Sequence, residues 1–204
     1  MDITPSQTSP ASMGDPAWSA SPFGPFNEWL TQALEQLPMA NAMGLATATR
    51  SGETALRTVM LKAYSDEGFV FFTSPDTLKV RHVAENPHVS LLFFWPGLNR
   101  QIRIDGTAAR IPVTSLARRF FSRRAHGSAI TWVSQGGRIA NAREALEISM
   151  SAASHPPCAF LVSPATVMFW QGGAGRQHAS LEYTRAGEAW TSHSSGSLEM
   201  PRPA

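Results

Sequence analysis

Residues 55–63 read ALRTVMLKA, and after the turn sequence SDEG at 65–68 the chain resumes with FVFFT at 69–73. β-Branched and apolar residues closed by Asp, Gly and Ser are a strand–turn–strand signal. The same grammar repeats outward from this pair. Met43 to Thr49 leads through Arg50-Ser51-Gly52-Glu53 into Ala55, and Val89 to Trp95 and Gln101 to Ile111 flank Pro96-Gly97-Leu98-Asn99. Further strands are expected at Ala159 to Val162, at Thr166 to Trp170 and in a last hairpin across Arg185-Ala186-Gly187-Glu188. Ile102 and Ile104 alternate with Gln101, Arg103 and Asp105, so one face of that strand is wet. Hairpin-joined strands outnumber helices. The pattern predicts a mainly β chain with flanking helices (α+β), folded as an antiparallel barrel rather than a doubly wound parallel sheet.

Helical spacing is strongest at Phe26, Trp29, Leu30, Ala33, Leu34 and Leu37, a run that Pro38 stops. DTLKVRHVAE at 76–85 reads as a second helix, with Asp76 or Ser74 as its cap and Asn86-Pro87 as its stop. Two more helices are expected at 114–124 and 138–153. Residues 1–25 hold five Pro and five Ser without periodicity, which predicts a flexible leader ahead of one domain over 26–204.

Composition narrows the function classes. Apolar residues are 43% of the 204, with 11 Phe and 6 Trp, so disorder is excluded for most of the chain. Charged residues are only 16%, fewer than the roughly 25% usual in soluble domains, which points to surface shared with a partner or a cofactor. The net charge is +2, with acids interspersed among the cations, and does not imply nucleic-acid binding. One cysteine, Cys158, leaves no internal disulfide framework and fits a reducing, cytoplasmic setting. No run approaches the ~18 apolar residues of a membrane span. Of the 17 basic residues only Lys62 and Lys79 are lysine, so each needs its own explanation.

P-loop, GxSxG and HExxH motifs are absent, the glycines at 172, 173 and 175 do not match GxGxxG, and the six His lie singly, without metal-ligand spacing. Cationic and polar residues at strand ends and in loops remain. In a regular strand Arg57 shares a face with Val59 and Leu61, and Lys62 with Thr58 and Met60, so the two cations cannot easily grip one phosphate. Either a bulge intervenes or they serve two different anionic groups. Arg119 and Arg123, flanked by Arg118 and Arg124, lie four apart in an expected helix and could clamp a phosphate. Phe169-Trp170-Gln171-Gly172-Gly173-Ala174-Gly175-Arg176-Gln177-His178 could wall a pocket for a planar ligand.

Together these segments resemble the pyridoxine (pyridoxamine) 5′-phosphate oxidase family across about residues 26–183. The resemblance is carried by Asn41-Ala42-Met43 with Leu45-Ala46-Thr47, Arg57 to Lys62, Gly68 to Thr73, Lys79, Asn86-Pro87, Arg100-Gln101, Phe120 to Arg123, Trp132-Val133-Ser134-Gln135, and Phe169-Trp170-Gln171-Gly172 with Arg176 and His178. It implies a split β-barrel homodimer with FMN at the interface. Arg57, Thr58, Val59, Met60, Leu61 and Lys62, then Phe72, Thr73, Lys79, Gln101, Gln135, Gly136 and Trp170, look like FMN contacts, some reaching the flavin of the partner subunit. Lys62, Arg119, Arg123, Ser128, Arg176 and His178 look like the substrate side: Lys62 and Arg123 toward a phosphate, Arg176 and His178 near the ring as the catalytic pair.

The sequence departs from the family at several of these positions. Leu78 stands where the family has Arg, Arg119 replaces a Tyr, Gly127 or Ser128 must serve for a phosphate-binding Ser, and Gly136 replaces a Ser. Arg176-Gln177-His178-Ala179-Ser180 lacks the final Arg of the family's Arg-Leu-His-Asp-Arg, and Ser197 to Pro201 match its Arg-Leu-x-Pro ending poorly. The expected activity is FMN-dependent oxidation of pyridoxine or pyridoxamine 5′-phosphate to pyridoxal 5′-phosphate, with oxygen as acceptor. The departures keep open a phenazine-type oxidase acting on another small planar substrate, or a binding protein for a flavin or pyridoxal phosphate without turnover.

Overall fold

The computed structural model describes residues 20–112, 131–134, 137–139, 158–173 and 178–195, the two short segments at 131–139 by backbone alone. Its elements are α1 (Phe23–Gln36), β1 (Ala42–Ala48), β2 (Thr54–Ser65), β3 (Gly68–Thr73), α2 (Leu78–Glu85), β4 (His88–Trp95), β5 (Arg100–Ile111), β6 (Thr131–Ser134), β7 (Gly137–Ile139), β8 (Cys158–Gly172), β9 (His178–Ala186) and β10 (Ala189–Ser195). Every strand pair is antiparallel. Pairing runs from β2 through β3, β8, β5, β4 and β1 back to β2, a closed ring of six strands. β9 and β10 extend the sheet beyond β8, and β6 and β7 extend it beyond β2.

Alternation along the strands fills the barrel. Met43 and Leu45 of β1, Val59 and Leu61 of β2, Leu91 and Phe93 of β4, and Ile102 and Ile104 of β5 point inward and are buried. The apolar stripe of α1 closes one side. Phe26 packs edge-on against Tyr64, Phe69 and Phe93 at centroid distances of 4.8, 4.9 and 5.3 Å, and Trp29 against Phe169 at 5.3 Å. Each such ring contributes ~1.5–3 kcal/mol through burial. The Tyr64 hydroxyl donates to Asn27 Oδ1 (2.8 Å), tying the helix to β2.

Three differences from the sequence expectation have local causes. Helix α1 starts at Phe23, inside the stretch expected as leader; Pro25 fits its first turn, where a missing N–H costs no helical bond. Helix α2 starts at Leu78 with Thr77 rather than Asp76 or Ser74 at the cap position, because Thr77 is the residue in extended conformation. Ala159 to Val162 and Thr166 to Trp170 are one strand, not two: opposite Pro164, which has no N–H to give the ladder, the β5–β8 register shifts between Asp105 and Gly106 and the strand continues. β7 occupies the start of the expected helix 138–153; the rest of it, and the helix at 114–124, lie outside the described residues.

Barrel closure depends on Gly68. Its φ of +141° is unfavourable for a side chain, and a Cβ there would run into the Val162 carbonyl of β8. Gly68→Ala is expected to lower stability by about 3 kcal/mol or more in thermal or denaturant melts. An unchanged midpoint would mean that β3 and β8 can part without cost.

Candidate functional site

Two clusters emerge from the residues singled out in the sequence. The first lies where β2, the end of β3 and the start of α2 meet. Arg57 stands opposite Leu45 on β1, and its Nη1 donates to the Leu45 carbonyl (3.0 Å) and to Thr47 Oγ1 (2.8 Å). These two bonds use both hydrogens of Nη1, while Nε and Nη2 donate to no described residue. Lys79, in the first turn of α2, donates from Nζ to Thr73 Oγ1 (3.1 Å), which in turn lies 3.4 Å from Thr77 Oγ1; Thr77 then donates to the Ser74 carbonyl (3.1 Å). Thr77 makes no side-chain cap to its helix, so the positive N-terminal end of α2 is left open beside Lys79.

Arg57 and Lys79 are close enough to repel. The Lys79 ammonium is held below its ordinary pKa by burial and then by the Arg57 charge, and the Arg57 guanidinium is lowered by burial. Among the described residues neither forms a salt bridge. Two neighbouring cations with no carboxylate salt-bridged to them among the described residues, at an uncapped helix start, could hold an anion of more than one charge. The donor set fits a phosphate monoester such as that of FMN.

Lys62 resolves the question of the two strand cations. The β2–β3 register shifts between Leu61 and Ala63, placing a bulge at Lys62. Asn41 pins this irregularity by donating from Nδ2 to the Leu61 carbonyl (3.1 Å), while the Leu61 N–H donates to the Asn41 carbonyl (2.8 Å). Lys62 is half-buried, its pKa is lowered by burial, and it pairs with no described residue. It takes no part in the contacts that link Arg57 and Lys79. Val59 and Leu61 are core residues, so only their backbone could meet a ligand; Thr58 and Met60 face outward, and Phe72 is half-buried beside Ala159.

The second cluster is on the outer face. Phe94, Gln101, Trp170 and Ser180 are cross-strand partners in one row over β4, β5, β8 and β9. The exposed His178 ring stacks on Trp170 at 6.0 Å and 25°. Arg100 braces this row: its Nε donates to Gln171 Oε1 (2.7 Å), its Nη1 to Gln32 Oε1 (2.5 Å), and its guanidinium lies 4.6 Å over Trp29. The Gly172 N–H donates to the Asn99 carbonyl (2.9 Å), and a Cβ at Gly172 would lie within 2.7 Å of the Asn99 side chain, so the turn after β4 packs tightly on the end of β8. The same outer face carries Leu56, 74% exposed, and Phe94, 61% exposed, with Leu92 nearby; Gly44 sits between Leu56 and Leu92.

Arg119, Arg123, Ser128, Gln135, Gly136 and Arg176 lie outside the described residues. Sequence reasoning missed Thr47 and His82. Thr47 had a signal, since it occupies the inward phase of β1 behind Met43 and Leu45 where an apolar residue is expected. His82 had only its three-residue spacing from Lys79.

Comparison with known proteins agrees with this architecture. The family model for pyridoxamine 5′-phosphate oxidase matches residues 30–155, and that for the pyridoxine 5′-phosphate oxidase C-terminal dimerisation region matches residues 158–194. A pyridoxine/pyridoxamine 5′-phosphate oxidase of Paraburkholderia phymatum is 40% identical over 185 residues, covering 84% of this chain and 86% of the relative. One from Crocosphaera subtropica is 38% identical over 177 residues, 80% of this chain and 82% of the relative. Among solved structures, PhzG from Burkholderia lata in complex with tetrahydrophenazine-1-carboxylic acid shares the fold at TM-score 0.66 and 21% identity, covering 93% of this chain and all of that one. A pyridoxamine 5′-phosphate oxidase-related, FMN binding protein from Nostoc punctiforme does so at TM-score 0.61 and 18% identity, covering 85% and 96%. Fold and matches together define an antiparallel split-barrel oxidoreductase that pairs into a homodimer. The chain belongs to the pyridoxamine 5′-phosphate oxidase family. Among the described residues no helix is long and apolar enough to cross a membrane, and no group of three or more His, Cys, Asp or Glu could hold a metal ion.

Proposed function

We propose that this protein is an FMN-dependent oxidase converting pyridoxine or pyridoxamine 5′-phosphate to pyridoxal 5′-phosphate, working in the cytoplasm, where Cys158 stays a thiol. The observation that carries the reading is the uncompensated pair Arg57 and Lys79 at the open start of α2, which suits the FMN phosphate. When bound, FMN would supply a two-electron acceptor for oxidation at the substrate C4′, with oxygen as the final acceptor. The chain itself holds and orients the two rings and neutralises two phosphates. Gln101 and Trp170, with the stacked His178, lie on the outer face together with exposed Leu56 and Phe94. That face packs against the partner, so the phosphate clamp of one subunit and the aromatic row of the other together enclose a flavin. Lys62, set on its bulge and paired with no described residue, serves the substrate phosphate together with Arg123. Arg176 and His178 border its ring.

The test is the visible spectrum of the FMN-loaded protein before and after anaerobic addition of pyridoxine 5′-phosphate. Bleaching of the flavin band that air restores is the expected result. A flavin that stays oxidised with either vitamer phosphate, yet is reduced by another planar aromatic such as a reduced phenazine carboxylate, would replace the substrate. Arg119 and the altered segment Gln177 to Ser180 favour that second reading. No reduction by any substrate would leave a flavin-binding role without turnover.

A further inference from the structure

Thr47 and His82 are 2% and 3% exposed and have no place in the site assembled above except through Arg57. We infer that they form a positioning relay which sets the orientation of the Arg57 guanidinium, an inference that rests on the FMN-phosphate reading of the clamp. The Thr47 hydroxyl accepts from Arg57 Nη1 at 2.8 Å and lies 3.1 Å from His82 Nδ1. Its own proton needs an acceptor, because a buried hydroxyl with an unmade donor is costly. His82 Nδ1 is the partner in place to accept it.

The direction of this chain, Arg57 to Thr47 to His82, has two effects on the clamp. With Nη1 committed to Thr47 and to the Leu45 carbonyl, the planar guanidinium cannot rotate, and its Nε–Nη2 edge is held ready for a ligand. His82 also lies on α2 three residues after Lys79, so the contact that fixes Arg57 also fixes the helix bearing the second cation against β1. One buried contact thereby sets the spacing of both. Thr47 and His82 touch no ligand and are positioning residues.

A relay of this kind must act on the phosphate and not on the flavin ring, which separates it from a simple staple between helix and barrel. The affinities of the full-length chain, freed of flavin, for FMN and for riboflavin provide the measurement, read by quenching of flavin fluorescence. Thr47→Val keeps the shape and removes the hydroxyl; it is expected to weaken FMN about tenfold and riboflavin less than about twofold. Thr47→Ser is expected to restore FMN binding. His82→Leu should repeat the Thr47→Val result, and His82→Asn, whose amide oxygen falls where Nδ1 stands, should restore it. If FMN and riboflavin weaken in parallel in Thr47→Val, or neither changes, the pair is a structural staple and the relay is wrong. Should His82→Leu fail to fold, the Thr47→Val and Thr47→Ser pair decides alone. Failure of the phosphate reading would look different, because then even Arg57→Ala would not separate FMN from riboflavin.

Discussion

Arg57→Ala is expected to weaken FMN binding about 50-fold while leaving riboflavin within about threefold. The size follows from the loss of charge-assisted hydrogen bonds to a phosphate, each about 1.5–3 kcal/mol, or roughly 10- to 150-fold in affinity. Discrimination between the two flavins follows from geometry. Arg57 lies with Lys79 and the open start of α2, and no contact joins it to the row of Gln101, Trp170 and His178. Lys79→Ala should behave alike, with a smaller loss where α2 still presents its N–H groups. Leu78 stands exposed in the first turn of the same helix, so Leu78→Arg should tighten FMN by several-fold, about what one partly exposed charge-assisted bond contributes. Titrations of both flavins, with thermal melts to confirm folding, provide the check. Equal losses for FMN and riboflavin in Arg57→Ala would place the phosphate elsewhere.

The second large effect concerns the homodimer. Leu56→Glu, or Phe94→Glu, is expected to convert the dimer to monomer at micromolar concentration. Leu56 and Phe94 are the most exposed large hydrophobic side chains among the described residues, and they share an outer face with Leu92 and Gly44. An unpaired carboxylate buried at the centre of such a contact costs about 3 kcal/mol or more, roughly two orders of magnitude in dissociation constant. Light scattering after size exclusion reads the mass directly. Flavin affinity should fall with the dimer, because the row containing Gln101 and Trp170 borders the same face. A dimer that survives both substitutions would move the partner to another surface, and a monomer that keeps full flavin affinity would show that one chain holds the whole site.

The expectations for flavin binding rest on cations that the sequence itself sets apart. In a chain with 15 Arg and two Lys, Lys62 and Lys79 stood out before any fold was known, and Arg57 shared a strand with Lys62. What they do was not visible. On a regular strand alternation sets Arg57 and Lys62 on opposite faces, which left two explanations open, a bulge or two different anionic groups. The structure shows the first of them, a bulge at Lys62, and sets the Arg57 charge near Lys79 of α2.

The sequence by itself determined the strands and turns from Met43 to Ile111 and the last hairpin, because alternation and turn chemistry act between residues a few positions apart; it did not show that 158–172 is one strand or that 131–134 and 137–139 are strands. Ile102 and Ile104 against Gln101, Arg103 and Asp105 suffice to say which face is dry. The face of helix α1 was equally plain from its spacing, although its start at Phe23 was not. Only the tertiary structure decided how the barrel closes and where the ligand groups meet. Closure runs through β3 against β8, where Phe71 pairs with Phe160, 89 positions further along the chain, and Gly68 admits the Val162 carbonyl. The relay from Arg57 through Thr47 to His82 joins two strands and a helix, and Thr47 and His82 are 35 positions apart. The physical reason is common to both. A hydrogen-bond ladder shifted by one residue turns every side chain to the opposite face. A strand's own pattern therefore says which residues share a face, and only its partner's register says which groups face each other.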